Sequence, residues 1–311
     1  MPAFTSRPFR GAPDIPELVA LARANLSRRW PALPYLHPGD VVWQLTGRPA
    51  GEDTTLWYDE QGLAAYADFQ APCEFVVELR HDVEPGEAHL AAVLAWAETR
   101  RRLVPADAAL PVAYQAIGAG ALATQAFDSD VPRVDALRQA GFAKVDLFGF
   151  RMRRPLADLS GLPGTPAGVI LRQAAEADIA ERVDLHRDAW SVWGPSGFSE
   201  AQYRALRASP EYREELDVVV EFGGRLVSYC VCWADAASGV GIFEPVGTRP
   251  AVAGRGFGRL AIFEGLRRLK AMGMHTALIG TSSVNAPAER LYRACGFEHV
   301  DRQYFYARSV V

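Results

Sequence analysis

Residues 248–260 read TRPAVAGRGFGRL, and residues 285–297 read NAPAERLYRACGF. In the first stretch Gly254, Gly256 and Gly258 lie between an apolar strand-like run and an apolar helix-like run. Such a turn lets backbone N–H groups converge on an anion at a helix N-terminus. Three alternate glycines would be a costly way to make an ordinary turn, because each loses backbone entropy on folding. The second stretch opens on Asn285, a good helix cap. It carries Tyr292 about two turns in and stops at Gly296.

Outward from these stretches, the C-terminal half reads as a strand at 169–173, helices at 176–190 and 200–208, and a hairpin of strands 217–222 and 225–234 turning at Gly223-Gly224. A strand at 240–248, a helix at 257–272, a strand at 276–280, a helix at 286–294 and a strand at 298–308 follow. This order mixes an antiparallel meander with a βαβ crossover, so the expected class is α+β, a mixed and mostly antiparallel sheet flanked by helices. Residues 1–152 repeat the order more faintly. A helix at 15–28 precedes strands at 41–45, 54–58, 63–69 and 74–79, then a helix at 87–103, a strand at 112–117 and a helix at 131–139. Ala140-Gly141-Phe142 then echoes Ala294-Cys295-Gly296-Phe297. The expectation is two copies of one domain, 1–152 and 169–311, joined by the Pro- and Gly-rich linker 153–168.

Bulk composition removes several function classes. The 311 residues suffice for two cores, and 49% apolar with 23% charged content is that of a soluble globular protein. A net charge of −4 gives no reason to expect nucleic acid or a membrane surface. No apolar run approaches the roughly 18 residues of a spanning helix. The start, MPAFTSRPFRGAPDIP, has prolines where a signal peptide needs an apolar core, so the expected compartment is the cytoplasm. Cys73, Cys230, Cys232 and Cys295 are scattered and read as small buried hydrophobes, and no metal-ligand spacing is present.

Of the other owners of a glycine turn, one is excluded and one, a dinucleotide site, is a weak match that stays as a distant alternative. No Lys-Ser or Lys-Thr follows the glycines, which removes a P-loop. Gly256-Phe257-Gly258-Arg259-Leu260-Ala261 satisfies G-x-G-x-x-A literally, but the strand at 276–280 runs into Thr281-Ser282-Ser283 with no carboxylate for a dinucleotide ribose.

The third owner is the acyl-coenzyme A site of the GNAT acetyltransferase family, which both stretches resemble. Residues 253–258 are similar to its [Q/R]-x-x-G-x-[G/A] loop at Gly256 and Gly258, with Ala253 departing from Gln or Arg. Arg255 and Arg259 stand ready to replace that charge. Residues 285–297 resemble the family's N-x-x-A-x-x-[LF]-Y-x-x-x-G-F motif at every position. The resemblance implies that Ala253, Gly254, Arg255, Gly256, Phe257, Gly258 and Arg259 surround the pyrophosphate, that Asn285 and Ala288 approach the coenzyme, and that the strand end Val246, Gly247 and Thr248 binds the pantetheine arm and acyl carbonyl through its main chain. It further implies acetyl-coenzyme A as cosubstrate and Tyr292 as the acid that protonates the leaving thiolate, against the alternative of a packed core tyrosine.

Glu244, in the apolar run Gly241–Val246, has the strand parity of Val246 and Thr248. A carboxylate there is expensive unless paired or used. It reads equally as the base that takes the amine's proton and as a group that binds a cationic substrate or pairs with an arginine. His186 and His275 are weaker base candidates. Trp190, Trp193, Phe198 and Tyr203 offer an aromatic wall for the acceptor, or core packing of a helix end.

In the first half Leu137 stands where Tyr292 does and Asp130 where Asn285 does. Val83-Glu84-Pro85-Gly86-Glu87-Ala88 offers one glycine and two glutamates where a phosphate loop belongs. The first copy therefore reads as degenerate and non-catalytic. The expected function is transfer of an acetyl group to a primary amine of a small molecule. A mycothiol-synthase-like enzyme and a non-catalytic coenzyme A-binding sensor or scaffold are the alternatives. A homodimer stays open.

Overall fold

A computed structural model describes residues 5–30, 34–84, 88–105, 107–159 and 164–310. Within the first half, strand β1 (Thr5–Phe9) leads through a short turn into helix α1 (Ile15–Arg29) and helix α2 (Pro38–Leu45). Strands β2 (Gly51–Asp59), β3 (Gly62–Gln70) and β4 (Glu74–Leu79) form a meander, followed by α3 (Ala88–Arg102), β5 (Ala121–Phe127), α4 (Val131–Gln139) and β6 (Ala143–Pro155). The second half repeats the plan. It runs β7 (Val169–Gln173), α5 (Ile179–Trp190), α6 (Glu200–Arg207), β8 (Asp217–Phe222), β9 (Arg225–Asp235), β10 (Val240–Thr248), α7 (Phe257–Ala271), β11 (Thr276–Ser282), α8 (Ala286–Ala294) and β12 (Glu298–Ser309).

Among the described residues twelve strands join in one sheet, in the order β1-β2-β3-β4-β5-β12-β6-β11-β10-β9-β8-β7. Only β4–β5 and β10–β11 are parallel, so the sheet is mixed and mostly antiparallel, as expected of an α+β fold. Simple tandem copies would place β6 beside β5 and β12 beside β11. Instead the last strand of each half lies in the other half's sheet: β12 pairs with β5, and β6 pairs with β11. The two exchanged strands also pair with each other.

Packing follows the exchange. Met152 of β6 is buried among Cys232, Phe243, Leu266 and Ile279 of the second half. Tyr306 of β12 is buried among Phe75, Leu122 and Leu137 of the first. A further core joins the halves directly, with Leu18, Val41 and Leu45 packed against Val183, Trp233 and Ile242. Burying such side chains is worth about 1.5–3 kcal/mol each. Each half therefore draws part of its stability from the other.

Three segments differ from the sequence reading. The run 41–45 is helical, not a strand. His37 caps α2 by accepting from Gly39 N–H at 2.9 Å, and Pro38 occupies the first helical position. Residues 112–117 form a 3-10 turn, and the strand comes later, at 121–127. That strand is ALATQAF, whose small residues carry little β signal. The linker is shorter than 153–168, because β6 stays paired with β11 through Pro155 opposite Thr276.

Candidate functional site

The site grows from a split in the sheet. β10 and β11 pair only from Val240/Thr276 to Phe243/Ile279. Beyond that, β10 follows β9 and β11 follows β6. At the split β10 bulges: Phe243 faces Cys232 and Val246 faces Cys230, leaving one extra residue on β10. Trp233 Nε1 donates to the Glu244 carbonyl at 2.7 Å and Ser228 Oγ to the Gly247 carbonyl at 2.9 Å, which holds the bulged stretch. The bulge breaks simple strand parity, yet Glu244, Val246, Gly247 and Thr248 all border one cavity of 1220 Å³.

The glycine turn closes one end of this cavity. Gly254 and Gly256 adopt φ of 78° and 89°, the left-handed region that glycine reaches without Cβ strain. Gly256 caps α7 without a side chain, so the first N–H groups of that helix stay open. Gly258 serves a different need. A Cβ there would lie 3.0 Å from Thr248 Oγ1 and 3.1 Å from Leu291, so glycine lets α7 start close to β10 and α8 without displacing either side chain. Ala253, Gly254, Gly256, Phe257, Gly258 and Arg259 all border the cavity. Together the open N–H groups and the helix dipole favour an anion here.

α8 forms the facing wall. Asn285 Oδ1 accepts from Ala288 N–H at 3.3 Å, and both residues border the cavity. Tyr292 borders it too and is otherwise buried, at 7% exposure. Burial and the nearby Glu244 raise its phenol above the ordinary range. A raised phenol stays protonated and keeps its O–H to donate.

Glu244 is pushed up to about 8, first by burial and then by the Asp40 carboxylate, while Arg151 opposes the shift. Asp40 and Arg151 belong to the first half and border the same cavity. α2 is docked on the second half by His37, whose Nε2 lies 3.2 Å from the Val240 carbonyl and whose main-chain N–H donates to Asp40 Oδ2 at 2.8 Å. Since Nδ1 accepts from Gly39, Nε2 carries the proton. Burial keeps this imidazole neutral by lowering its pKa.

Other expected residues lie elsewhere. Arg255 stacks over the rings of Phe222 and Phe257 at 5.0 and 5.3 Å and does not border the cavity. Trp190 and Trp193 do border it, whereas Phe198 and Tyr203 are packed in the core between the halves. His186 is buried against Tyr229, with Nδ1 2.6 Å from its hydroxyl, and burial lowers it to about 3. His275 sits between Thr276 Oγ1 and the Ser238 carbonyl, away from the cavity. The sequence reading missed Asp40, Arg151 and Arg290. Of these only Arg290 lies inside a recognised motif; the other two reach the site through α2 docking and strand exchange, which no local pattern signals.

The first half has a matching split. β4 and β5 pair only at Glu74/Ala123 and then diverge. Leu137 is buried there at 1% exposure in the place of Tyr292. Residues 85–87 of the turn that would correspond to the glycine loop lie outside the described residues. The four cysteines are buried and free. Among the described residues no group of three His, Cys, Asp or Glu is placed to hold a metal ion, and no helix is long and apolar enough to cross a membrane.

Comparison with known proteins agrees with this layout. Residues 181–297 match the acetyltransferase (GNAT) family. Mycothiol acetyltransferase of Tsukamurella paurometabola is 30% identical over 177 residues, covering 51% of this chain and 58% of that protein. Mycothiol acetyltransferase of Pseudarthrobacter chlorophenolicus is 28% identical over 187 residues, covering 55% of each. The chain thus spans little more than half the length of these curated relatives. Among solved structures, a GCN5-related N-acetyltransferase from Sphaerobacter thermophilus superposes with a TM-score of 0.62 at 20% identity, over 99% of this chain and 96% of that one. A tandem GNAT protein from the clavulanic acid biosynthesis pathway gives 0.62 at 15% identity over 99% of both. At these identities the two structures show the shared fold.

Proposed function

We propose, from the match of residues 181–297 to the acetyltransferase (GNAT) family, that the protein transfers an acetyl group from acetyl-coenzyme A to a primary amine of a small molecule. One observation carries the reading. Glu244, on the bulged edge of β10, and Tyr292, on α8, border a single cavity beside the open N-terminus of α7.

In this reading the open N–H groups of Gly254 and of Gly256 to Arg259 hold the pyrophosphate, the Arg255 N–H being taken by the Val252 carbonyl, with Arg259 in place of the charge that Ala253 lacks. The pantetheine arm lies along Val246–Thr248, whose free main-chain groups receive it as an added strand. An N–H of that edge polarises the thioester carbonyl. The amine nitrogen attacks the carbonyl carbon, Glu244 takes the amine proton, the C–S bond breaks, and Tyr292 protonates the departing sulfur. The first half, 1–152, supplies Asp40 and Arg151 to the acceptor side and performs no transfer itself. The compartment is the cytoplasm.

The test is release of coenzyme A thiol from acetyl-coenzyme A with a panel of amines, for wild type, Glu244→Gln and Tyr292→Phe. Binding of acetyl-coenzyme A without thiol release from any amine would favour a sensor or scaffold and overturn the enzymatic reading. The names of the curated relatives favour one narrower version, a mycothiol acetyltransferase. Turnover with the acceptor of those enzymes, against none with simple amines, would establish it.

A further inference from the structure

The acceptor side of the cavity holds a cation as well as acids. Arg151 of β6 borders it together with Asp40 and Glu244. We infer that Arg151 docks a carboxylate of the acceptor, so that the acceptor is an amino acid whose amine turns to Glu244 and Asp40 and whose carboxylate turns to Arg151; the inference rests on the acetyl-transfer reading above.

The ladders place these groups at one level. Arg151 lies opposite Gly280 of β11, and directly opposed residues share a face of the sheet. Gly280 follows Ile279, where the pairing of β11 with β10 ends. Ile279 pairs with Phe243, the neighbour of Glu244. Arg151 and Glu244 therefore flank the start of the split. The guanidinium leans over β11, because Nη1 lies 4.0 Å from the point a Gly280 Cβ would occupy. That leaves about one strand spacing, roughly 5 Å, to the line of β10, and the divergence of β10 widens it. Gly280 borders the cavity and puts no side chain into this gap. The space fits a molecule with only a few atoms between its two charged groups.

The guanidinium has donors to spare. Arg151 is half-buried, and Nη2 donates to the Tyr35 carbonyl at 3.1 Å. Among the described residues no carboxylate pairs with it. Asp301, opposite on the β12 side, turns instead to the Ser129 hydroxyl and the Arg302 N–H. Arg133, the other cation on this side, is engaged: it donates to the Val77 carbonyl at 2.8 Å and stacks 3.9 Å from the Tyr35 ring centre. The planar fork of an arginine matches a carboxylate through two parallel hydrogen bonds. A charge drawn partly out of water gains from such a partner. Asp40 supplies the opposite sign, since Oδ2 accepts the His37 N–H and Oδ1 has no partner among the described residues. With Glu244 held protonated below about 8, Asp40 and Arg151 present one negative and one positive charge. A zwitterion complements that pair, whereas a plain alkylamine leaves Arg151 unanswered.

The test is calorimetric binding to the full chain loaded with coenzyme A. The probes are glycine, alanine, phenylalanine, lysine, β-alanine and 4-aminobutyrate, each against its own amide. A pH of about 6.5 keeps every amine protonated, so the two members of a pair differ in the carboxylate. The expected result is an acid bound about ten- to hundredfold more tightly than its amide, the worth of charge-assisted hydrogen bonds. Arg151→Gln should bring that ratio near one, and Arg151→Lys should keep part of it. A merely structural Arg151 would weaken acid and amide alike. Wild type that binds no acid more tightly than its amide, or an undiminished ratio in Arg151→Gln, would overturn the inference; the wild-type ratio decides even where that variant does not fold. Thiol release from acetyl-coenzyme A with the same probes judges the acetyl-transfer reading separately. Release without a carboxylate preference sinks the amino-acid acceptor alone. An Arg151-dependent preference without release from any probe sinks the enzymatic reading alone.

Discussion

Asp130 caps α4 as Asn285 caps α8: each side-chain oxygen accepts the N–H three residues on, both at 3.3 Å. The two helices also end alike. Gly141 and Gly296 take φ of 83° and 78°, and Phe142 and Phe297 each donate at 3.0 Å to the carbonyl of Leu137 or Tyr292. Leu137 and Tyr292 thus occupy one position of one motif, and only the second carries a hydroxyl. Tyr292→Phe removes that hydroxyl and leaves the packing intact. In the proposed role, kcat should fall on the order of a hundredfold, with acetyl-coenzyme A affinity changed little. Single-turnover thiol release and equilibrium binding check this. Loss of binding and rate together would make Tyr292 a packing residue.

The strand exchange predicts how the chain behaves when cut. Each half holds a strand of the other's sheet, and Met152 and Tyr306 are buried in the partner half's core. A protease site placed between β6 and β7 and then cleaved should leave both fragments in one particle on size exclusion. Heating should give one cooperative transition, because neither core is complete alone. Separation of the fragments without denaturant would show that the exchanged strands contribute little.

These features mark where the sequence was readable. The glycine turn and the capped Tyr292 helix announce themselves because the constraints are local: a left-handed φ, a cap, a fixed spacing. Most second-half elements follow for the same reason, since their apolar periods run between clear turns. The exchange of β6 and β12 left no local trace. Either strand could complete either sheet by its own pattern, and the choice rests on long-range packing. Asp40 was hidden likewise, because VVWQL reads as a strand until His37 and Pro38 are recognised as a helix start. Arg255 misled for the opposite reason: its place in the loop suggested phosphate, but aromatic faces at Phe222 and Phe257 hold it.

Docking of α2 offers a stability test with its own control. A Cβ on Gly39 would fall 2.2 Å from Trp233, the side chain that holds the Glu244 carbonyl. Gly39→Ala should therefore cost about 1–3 kcal/mol by overpacking and lower Tm by a few degrees. It should also reduce turnover, since Trp233 must shift. Gly149→Ala, where the nearest atom is 3.5 Å away, should leave Tm unchanged. Equal Tm values for the two variants would count against the close approach of α2 to β9.

Glu244 makes stability and rate run in opposite directions with pH. Its carboxyl titrates at about 8 in the folded chain, against an ordinary 4.5. The fold thus favours the protonated form, so its stabilising contribution is present below pH 4.5 and lost as pH rises through 8. As the base it must be ionised, so transfer should gain rate over the same upper range and level off above about 8. Glu244→Gln keeps the shape and removes the titration. Relative to wild type, the variant should therefore gain Tm progressively from about pH 5 to about pH 9. Its rate profile should lose the limb near 8 when the acceptor is a weakly basic amine that is already neutral there. Paired melting and kcat/KM profiles across that range decide the matter. If the limb persists in the variant, Glu244 binds or orients the acceptor and another group takes the proton. If the Tm difference stays flat, the carboxyl is not held neutral by its surroundings.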